Sequence, residues 1–197
     1  MALTISLLNS KGGVGKTTAS IYLAIALSRR GYSVEVWDAD QQASATEWAE
    51  DAAAEGDPLP FVCTPVNVAT LKSRASEADV LIIDTPPGEA ATQTQAVRRS
   101  DVVIIPTAPS LLDVKRVWST LDALAGSQAI VLVNRANTQA GTYREALEGL
   151  EEAGIAVFDT SVKNLEMYKR GASTHPSKLG GFSSVAAELV ELMGLKR

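Results

Sequence analysis

The sequence holds a single cysteine, Cys63, in 197 residues. One thiol excludes an intramolecular disulfide and any cysteine-ligated cluster within one chain. Cys63 follows an apolar stretch and reads as a small buried strand residue. Histidine is equally scarce: His175 stands alone, in a polar Thr-His-Pro-Ser loop, and reads as a surface residue. No apolar run approaches the ~20 residues that a membrane-spanning helix needs. The first ten residues, MALTISLLNS, lack the basic region of a secretory leader, so a cytoplasmic location is expected. Positive charge is also in deficit. A net charge of −5 argues against a protein that coats nucleic acid through overall charge, but leaves room for a local basic patch.

What the chain has in quantity is alternation. Apolar, β-branched runs at Leu3–Leu8, Ser33–Trp37, Phe61–Cys63, Val80–Asp84, Asp101–Pro106, Ala129–Asn134 and Ile155–Phe158 predict strands. Helical patterns separate them, near 17–30, 43–54, 67–77, 90–99, 110–125 and 141–153, with a last one near 183–194. Runs such as VLII and DVVII are continuous rather than alternating. Strands of that kind are covered on both faces, which is the habit of a parallel sheet flanked by helices. The expected fold is therefore α/β: a doubly wound, mostly parallel sheet in one domain spanning 1–197, with ligands at the carboxyl ends of the strands. Glu55–Pro60 reads as a surface loop within that domain.

Three strand ends carry the chemistry. The first leads into NSKGGVGKTT, residues 9–18. Gly12, Gly13 and Gly15 allow backbone N–H groups, Val14 among them, to approach phosphate oxygens, and the helix that follows adds partial positive charge at its start. Lys16 is placed to reach the β- and γ-phosphates, and Thr17, followed by Thr18, to ligate Mg²⁺. Yet the usual pattern G-x-x-x-x-G-K-[ST] has Ser10 at its first glycine, and a second lysine, Lys11, comes early. The second strand end is VEVWDADQQ, where Asp38 and Asp40 stand beside that loop. Two unpaired acids are poor neighbours for phosphate unless they manage a metal and a nucleophilic water; alternatively they cap the next helix. The third is VLIIDTPPG. Asp84 there has the placement of a Walker B acid that holds the Mg²⁺ shell, and the turn after it would lie near the γ-phosphate.

Taken in chain order, K11-G-G-V-G-K16-T17-T18, D38-A-D40-x-Q42 and I82-I83-D84-T85-P86-P87 resemble the deviant-Walker-A ATPases of the ParA/MinD group, and the resemblance covers essentially the whole chain. It implies an ATP- and Mg²⁺-dependent ATPase. In that group the first Walker glycine is not needed, and Lys11 resembles the signature lysine that crosses an ATP-sandwich homodimer to the partner's phosphates. A cation delivered in trans neutralises charge on the nucleotide as an arginine finger does, an effect of ~10³–10⁵ in rate. By the same likeness Asp40 orients the attacking water and Asp38 shares the metal shell. Asn134, with Arg135 beside it, contacts adenine, and residues 160–173 close over the base. Gln41, where a proline is common, and Trp37, where a small aliphatic is usual, depart from the pattern. The chain starts eight residues before the loop, so the N-terminal DNA-reading domain of larger members is expected to be missing.

Three readings of the partner stay open at this point. A partition ATPase would hold nucleoid DNA non-specifically through phosphate contacts and answer to a ParB-like adaptor. Its basic groups would come from Arg98, Arg99, Lys115, Arg116, Lys163, Lys169, Arg170 and Lys178. A MinD-like membrane-cycling ATPase needs a basic amphipathic tail, but the C-terminal stripe Val185, Leu189, Leu192 and Met193 is flanked by Glu188 and Glu191, which anionic lipid repels. That helix is expected to dock on the domain, with no membrane partner. A P-loop enzyme acting on a small metabolite needs an acceptor site near the γ-phosphate, and the sequence offers no convincing one.

Overall fold

In the computed structural model, residues 2–124 and 126–195 are described. Six strands form one sheet in the order β3-β2-β4-β1-β5-β6, and every pairing is parallel. The strands are β1 (Leu3–Leu7), β2 (Val34–Asp38), β3 (Val62–Pro65), β4 (Val80–Asp84), β5 (Val102–Thr107) and β6 (Ala129–Val133). Between them run α1 (Lys16–Arg29), α2 (Ser44–Ala54), α3 (Val68–Ser73), α4 (Ala90–Arg99) and α5 (Leu111–Ala123). After β6 come α6 (Gly141–Glu152), α7 (Glu166–Arg170) and α8 (Phe182–Leu192). This is the doubly wound α/β fold that the alternation predicts.

Both faces of the sheet are covered at its centre, which is why β4, β5 and β6 run as nearly continuous apolar stretches, whereas the edge strand β3 is partly exposed. Successive strand residues enter different cores, as the two-residue period of a strand requires. Ile5, Leu7, Val36, Ile82 and Ile104 join α1, α2 and α8 on one side. Val103, Ile105, Val131 and Val133 meet α5 and α6 on the other, and Trp37, Leu81 and Ile83 meet α3 and α4. Helix α8 buries Phe182, Val185, Ala186 and Leu189 in the first of these cores and Met193 packs against it, so the helix docks, but Leu192 of the expected stripe stays 56% exposed.

Two elements differ from the sequence reading. Ile155–Phe158 makes an isolated parallel bridge, Val131 to Val157, in place of a seventh strand. The ladder along β6 is interrupted because the next two N–H groups go elsewhere: those of Asp159 and Thr160 donate to the Glu188 carboxylate of α8, at 2.8 and 3.0 Å, and the Val133 carbonyl of β6 is met instead by the Val162 N–H at 2.9 Å. The helix expected over 67–77 ends at Ser73, where Arg74 turns extended. Trp37 accounts for the break. Its fully buried ring meets two guanidinium groups, Arg74 at 5.2 Å and Arg99 at 4.7 Å from the centroid. Arg99 also donates to the Leu71 carbonyl at 2.8 Å and to the Arg74 carbonyl. Arg99 therefore ties α3 to α4, which corrects its place among the DNA-facing cations.

The loop between β2 and α2 carries a strained residue. Ala43, at the helix N-cap, has φ 55°, a left-handed conformation that costs an L side chain about 1–2 kcal/mol. Glycine adopts it freely but loses more entropy on folding. Ala43→Gly is expected to stabilise the protein by about 0.5–1 kcal/mol, a rise of about 2–4 °C per kcal/mol in melting temperature at this chain length. Calorimetry checks this; an unchanged or lower melting temperature would show that the site is not strained.

Candidate functional site

Because all strands run one way, the carboxyl ends of β1, β2, β4 and β6 open on the same edge of the sheet. After β1 the chain turns on Asn9, which is 2% exposed. Its Nδ2 donates to the Pro106 carbonyl at 2.8 Å and its Oδ1 accepts the Lys11 N–H at 2.9 Å. That side-chain turn does the work of the missing glycine: Ser10 is not in the left-handed region, whereas Gly13 (φ 73°) and Gly15 (φ 91°) are. Gly15 is the N-cap of α1, and no side chain caps the helix, so its first N–H groups are available to an anion.

Lys16 is buried, 6% exposed, and in this arrangement donates to the loop carbonyls of Asn9 and Lys11, both at 3.2 Å. Desolvation lowers its pKa, against the charges of Asp84 and Asp40, which raise it. Lys11 is engaged within its own chain. Its Nζ lies 2.8 Å from Asp113 Oδ1, at the start of α5, where Ser110 also donates to Asp113 at 2.8 Å. Burial works to raise the Asp113 pKa, but the Lys11 and Ser110 hydrogen bonds and the charges of Lys11 and Arg116 outweigh it and hold the carboxyl below the usual range.

Two further strand ends bring the acids. Asp84, at the end of β4, is 1% exposed. Its Oδ2 accepts from Thr17 Oγ1 at 2.7 Å and its Oδ1 from Ser20 Oγ at 3.1 Å. Burial pushes its pKa up to about 7; the Thr17 and Ser20 hydrogen bonds and Lys16 act downwards, and the Asp38 charge adds to the rise. Asp38 ends β2. Its Oδ1 accepts the Asp40 N–H at 3.1 Å, and its Oδ2 accepts the Thr46 N–H at 2.9 Å and the Thr46 hydroxyl at 3.0 Å. It thus anchors the first turn of α2, the capping role weighed in the sequence. Oδ2 is thereby taken up by two donors, while Oδ1, with one, keeps a lone pair for water or an ion. Asp40 Oδ1 accepts the Gln42 N–H at 2.9 Å.

Gly12, Gly13, Gly15, Lys16, Thr17, Thr18 and Asp40 line one cleft of ≈ 470 Å³, walled by Glu47, Pro87 and Ala172 among others. A second cleft of ≈ 420 Å³ shares Gly15, Thr18, Arg135 and Ala172 with it and adds Asn134, Lys163, Asn164, Leu165, Tyr168 and Lys169. Asn134 stitches the two clefts together: its Nδ2 donates to the Val14 carbonyl at 3.0 Å and its Oδ1 accepts the Arg135 N–H at 2.9 Å. Lys163 and Lys169 line the second cleft, whereas Arg170 and Lys178 are exposed and line neither. Asn9, Ser20, Asp113 and Glu47 have no role in the sequence reading. Of these only Ser20 carries a local signal, standing three residues after Thr17 and so on the same helix face.

Among the described residues no group of three or more acidic, histidine or cysteine side chains could hold a metal alone. Magnesium does not need one, because it keeps one or two carboxylates and takes the rest of its shell from phosphates and water. Thr17 Oγ1 and Asp84 Oδ2, 2.7 Å apart, fit that donor set.

The Asp84 carboxyl makes stability depend on pH. Its folded value of about 7 lies above the ordinary 3.8, so the native protein binds this proton more tightly than the unfolded chain does. The stability it contributes is complete below about pH 4 and is lost as pH rises through about 7. For the protein without magnesium, Asp84→Asn is expected to raise the melting temperature at pH 8 by about 3 °C or more and to flatten its decline between pH 5 and 8. An unchanged decline in that variant would place the titrating group elsewhere.

Residues 5–176 match the CobQ/CobB/MinD/ParA nucleotide binding domain family. The chain is 33% identical over 173 residues to the maintenance of carboxysome distribution protein A of Gloeobacter kilaueensis, covering 85% of this chain and 80% of that one. Its fold is similar to that of a plasmid partition protein of Borrelia burgdorferi B31 bound to AMPPNP, with a TM-score of 0.81 at 18% identity over 99% of this chain and 100% of the other. It is also similar to the septum site-determining protein MinD of Pyrococcus horikoshii complexed with Mg-ADP, with a TM-score of 0.78 at 19% identity over 100% and 99% of the two chains.

Proposed function

Because the chain belongs to the CobQ/CobB/MinD/ParA nucleotide binding domain family, and within it to the ParA/MinD type of positioning ATPase, we propose that it is a single-domain, Mg²⁺-dependent ATP hydrolase that moves or spaces a cargo on DNA. The observation that carries this reading is the convergence of Lys16, Thr17, Asp40 and Asp84 on one edge of the sheet, in front of an uncapped α1. ATP would place its triphosphate on residues 12–18 and its base in the cleft lined by Asn134, Arg135 and Tyr168. Magnesium, held by Thr17 and Asp84, would neutralise phosphate charge. Asp38 would fix Asp40, and Asp40 would position the attacking water.

In this reading two copies face each other across their nucleotides. Lys11 leaves Asp113 of its own subunit and turns to the other subunit's triphosphate, so that dimerisation reports bound ATP. The dimer binds nucleoid DNA non-specifically, with Arg170 and Lys178, exposed outside the clefts, and Lys163 and Lys169 at the cleft mouth as its phosphate contacts. A ParB-like adaptor carries the cargo and stimulates slow hydrolysis. The deciding experiment is a gel shift with duplex of arbitrary sequence, run beside sedimentation with anionic liposomes, each with and without ATP. A shift that needs ATP, weakens steeply with salt and is absent for Lys16→Ala is the expected result. ATP-dependent liposome binding without a DNA shift would replace this reading with a membrane-cycling one.

A further inference from the structure

We infer that Ser20 is a positioning residue for magnesium, aiming the Asp84 carboxylate at the ion from one turn farther along α1 than Thr17. The inference rests on Asp84 being the acid of a magnesium–nucleotide site. Ser20 is fully buried and stands one turn farther along α1 than Thr17, which lines the phosphate cleft, so it lies behind the site rather than in it. Its hydroxyl lies 3.1 Å from Asp84 Oδ1 and 3.1 Å from the Lys16 carbonyl. A hydroxyl has one proton and can satisfy only one of these acceptors at a time. The Lys16 carbonyl sits in the helical ladder, four residues back, where a backbone N–H already serves it. Asp84 Oδ1 has no other donor among the described residues, so the carboxylate has more to gain from that proton.

The two oxygens of Asp84 are thereby held by two hydroxyls of one helix, Oδ2 by Thr17 and Oδ1 by Ser20. Residues three apart lie on one face of a helix, which explains how a single element holds both. Holding both oxygens fixes the plane of the carboxylate and decides which of them meets the ion. Thr17 is the donor that a magnesium ion would recruit into its own shell. Ser20, out of the ion's reach, stays behind as the fixed hold on Oδ1 and leaves Oδ2 turned to the site. The neighbours of Ser20 on α1 are Ala19, Ile21, Tyr22, Leu23 and Ala24, all buried. A serine among them is a weaker helix former than alanine and adds a buried polar group. An arrangement that only needed packing would not require it.

Ser20→Ala removes one oxygen atom and leaves the helix intact. With a fluorescent ATP analogue at fixed concentration, magnesium is titrated into the full chain and the nucleotide signal gives the midpoint. For Ser20→Ala the midpoint is expected to rise about tenfold, as for other groups that hold a metal ligand from behind, while affinity measured in chelator stays within about twofold of wild type. Ser20→Cys, with a weak S–H donor, is expected to fall between the two. A midpoint equal to that of wild type would show that the hydroxyl merely back-bonds to Lys16 and would overturn the inference, and so would equal weakening with and without magnesium. Nucleotide binding by the wild type that ignores magnesium altogether would instead remove the premise, that Asp84 serves a magnesium site.

Discussion

Replacing Lys16 by alanine is expected to weaken ATP binding by about 100-fold or more. The ammonium is already in place and already dehydrated: it is 6% exposed, and burial lowers its pKa. Its two bonds, to the carbonyls of Asn9 and Lys11, are 3.2 Å long, at the weak end of the hydrogen-bond range. A triphosphate would replace those neutral acceptors with charged ones. Hydrogen bonds to charged groups contribute about 1.5–3 kcal/mol each, so two of them amount to at least a hundredfold in affinity. Arginine at this position would be a poor rescue, because its planar fork does not fit a pocket shaped around a compact ammonium. Equilibrium dialysis with labelled ATP measures the loss, and circular dichroism confirms that α1 survives. An affinity within about threefold of wild type would remove Lys16 from the site, since one charge-assisted hydrogen bond alone exceeds that.

Asp40→Ala should separate binding from chemistry. Its N–H and one carboxylate oxygen hold the loop, through Asp38 Oδ1 and the Gln42 N–H, while Oδ2 has no hydrogen-bond partner among the described residues. That oxygen belongs to a side chain lining the phosphate cleft, which suits a group that orients water and accepts its proton. Loss of such a group slows the chemical step by about 10²–10⁴. ATP affinity is expected to change little, because Lys16 and the loop amides are intact, and size-exclusion chromatography with Mg-ATP is expected to show a persistent dimer. Hydrolysis at the wild-type rate would exclude Asp40 from the reaction. Loss of nucleotide binding instead would mean that Asp40 acts through the geometry of the β2–α2 loop.

Some of this site was legible in the chain because its logic is local. The loop at 9–18 works through backbone amides, glycine conformations and a helix start, all properties of consecutive residues. Asp84 could be recognised because an acid at the end of a strand buried on both faces is costly unless a cation or hydrogen-bond donors meet it. The continuous apolar runs implied a sheet covered on both faces, and the structure has one. The misplaced elements failed for a nonlocal reason. Ile155–Phe158 has the residues of a strand, yet the two N–H groups that follow answer to Glu188, 29 and 28 positions away in a helix. The 67–77 helix stops where Arg74 meets Trp37, a contact between separate strands and helices.

The sequence by itself determined the fold class, the phosphate loop and the set of acids, because propensity, periodicity and backbone chemistry act between near neighbours. Tertiary structure alone decided what each side chain holds. Lys11 rests on Asp113, 102 positions along the chain, and Asn134 reaches across 120 positions to the Val14 carbonyl. Asp38 anchors a helix, and Ser20 aims an acid on another strand. Those assignments depend on which strands lie side by side, and strand order is the outcome of packing two faces of a sheet at once, which no stretch of sequence encodes alone.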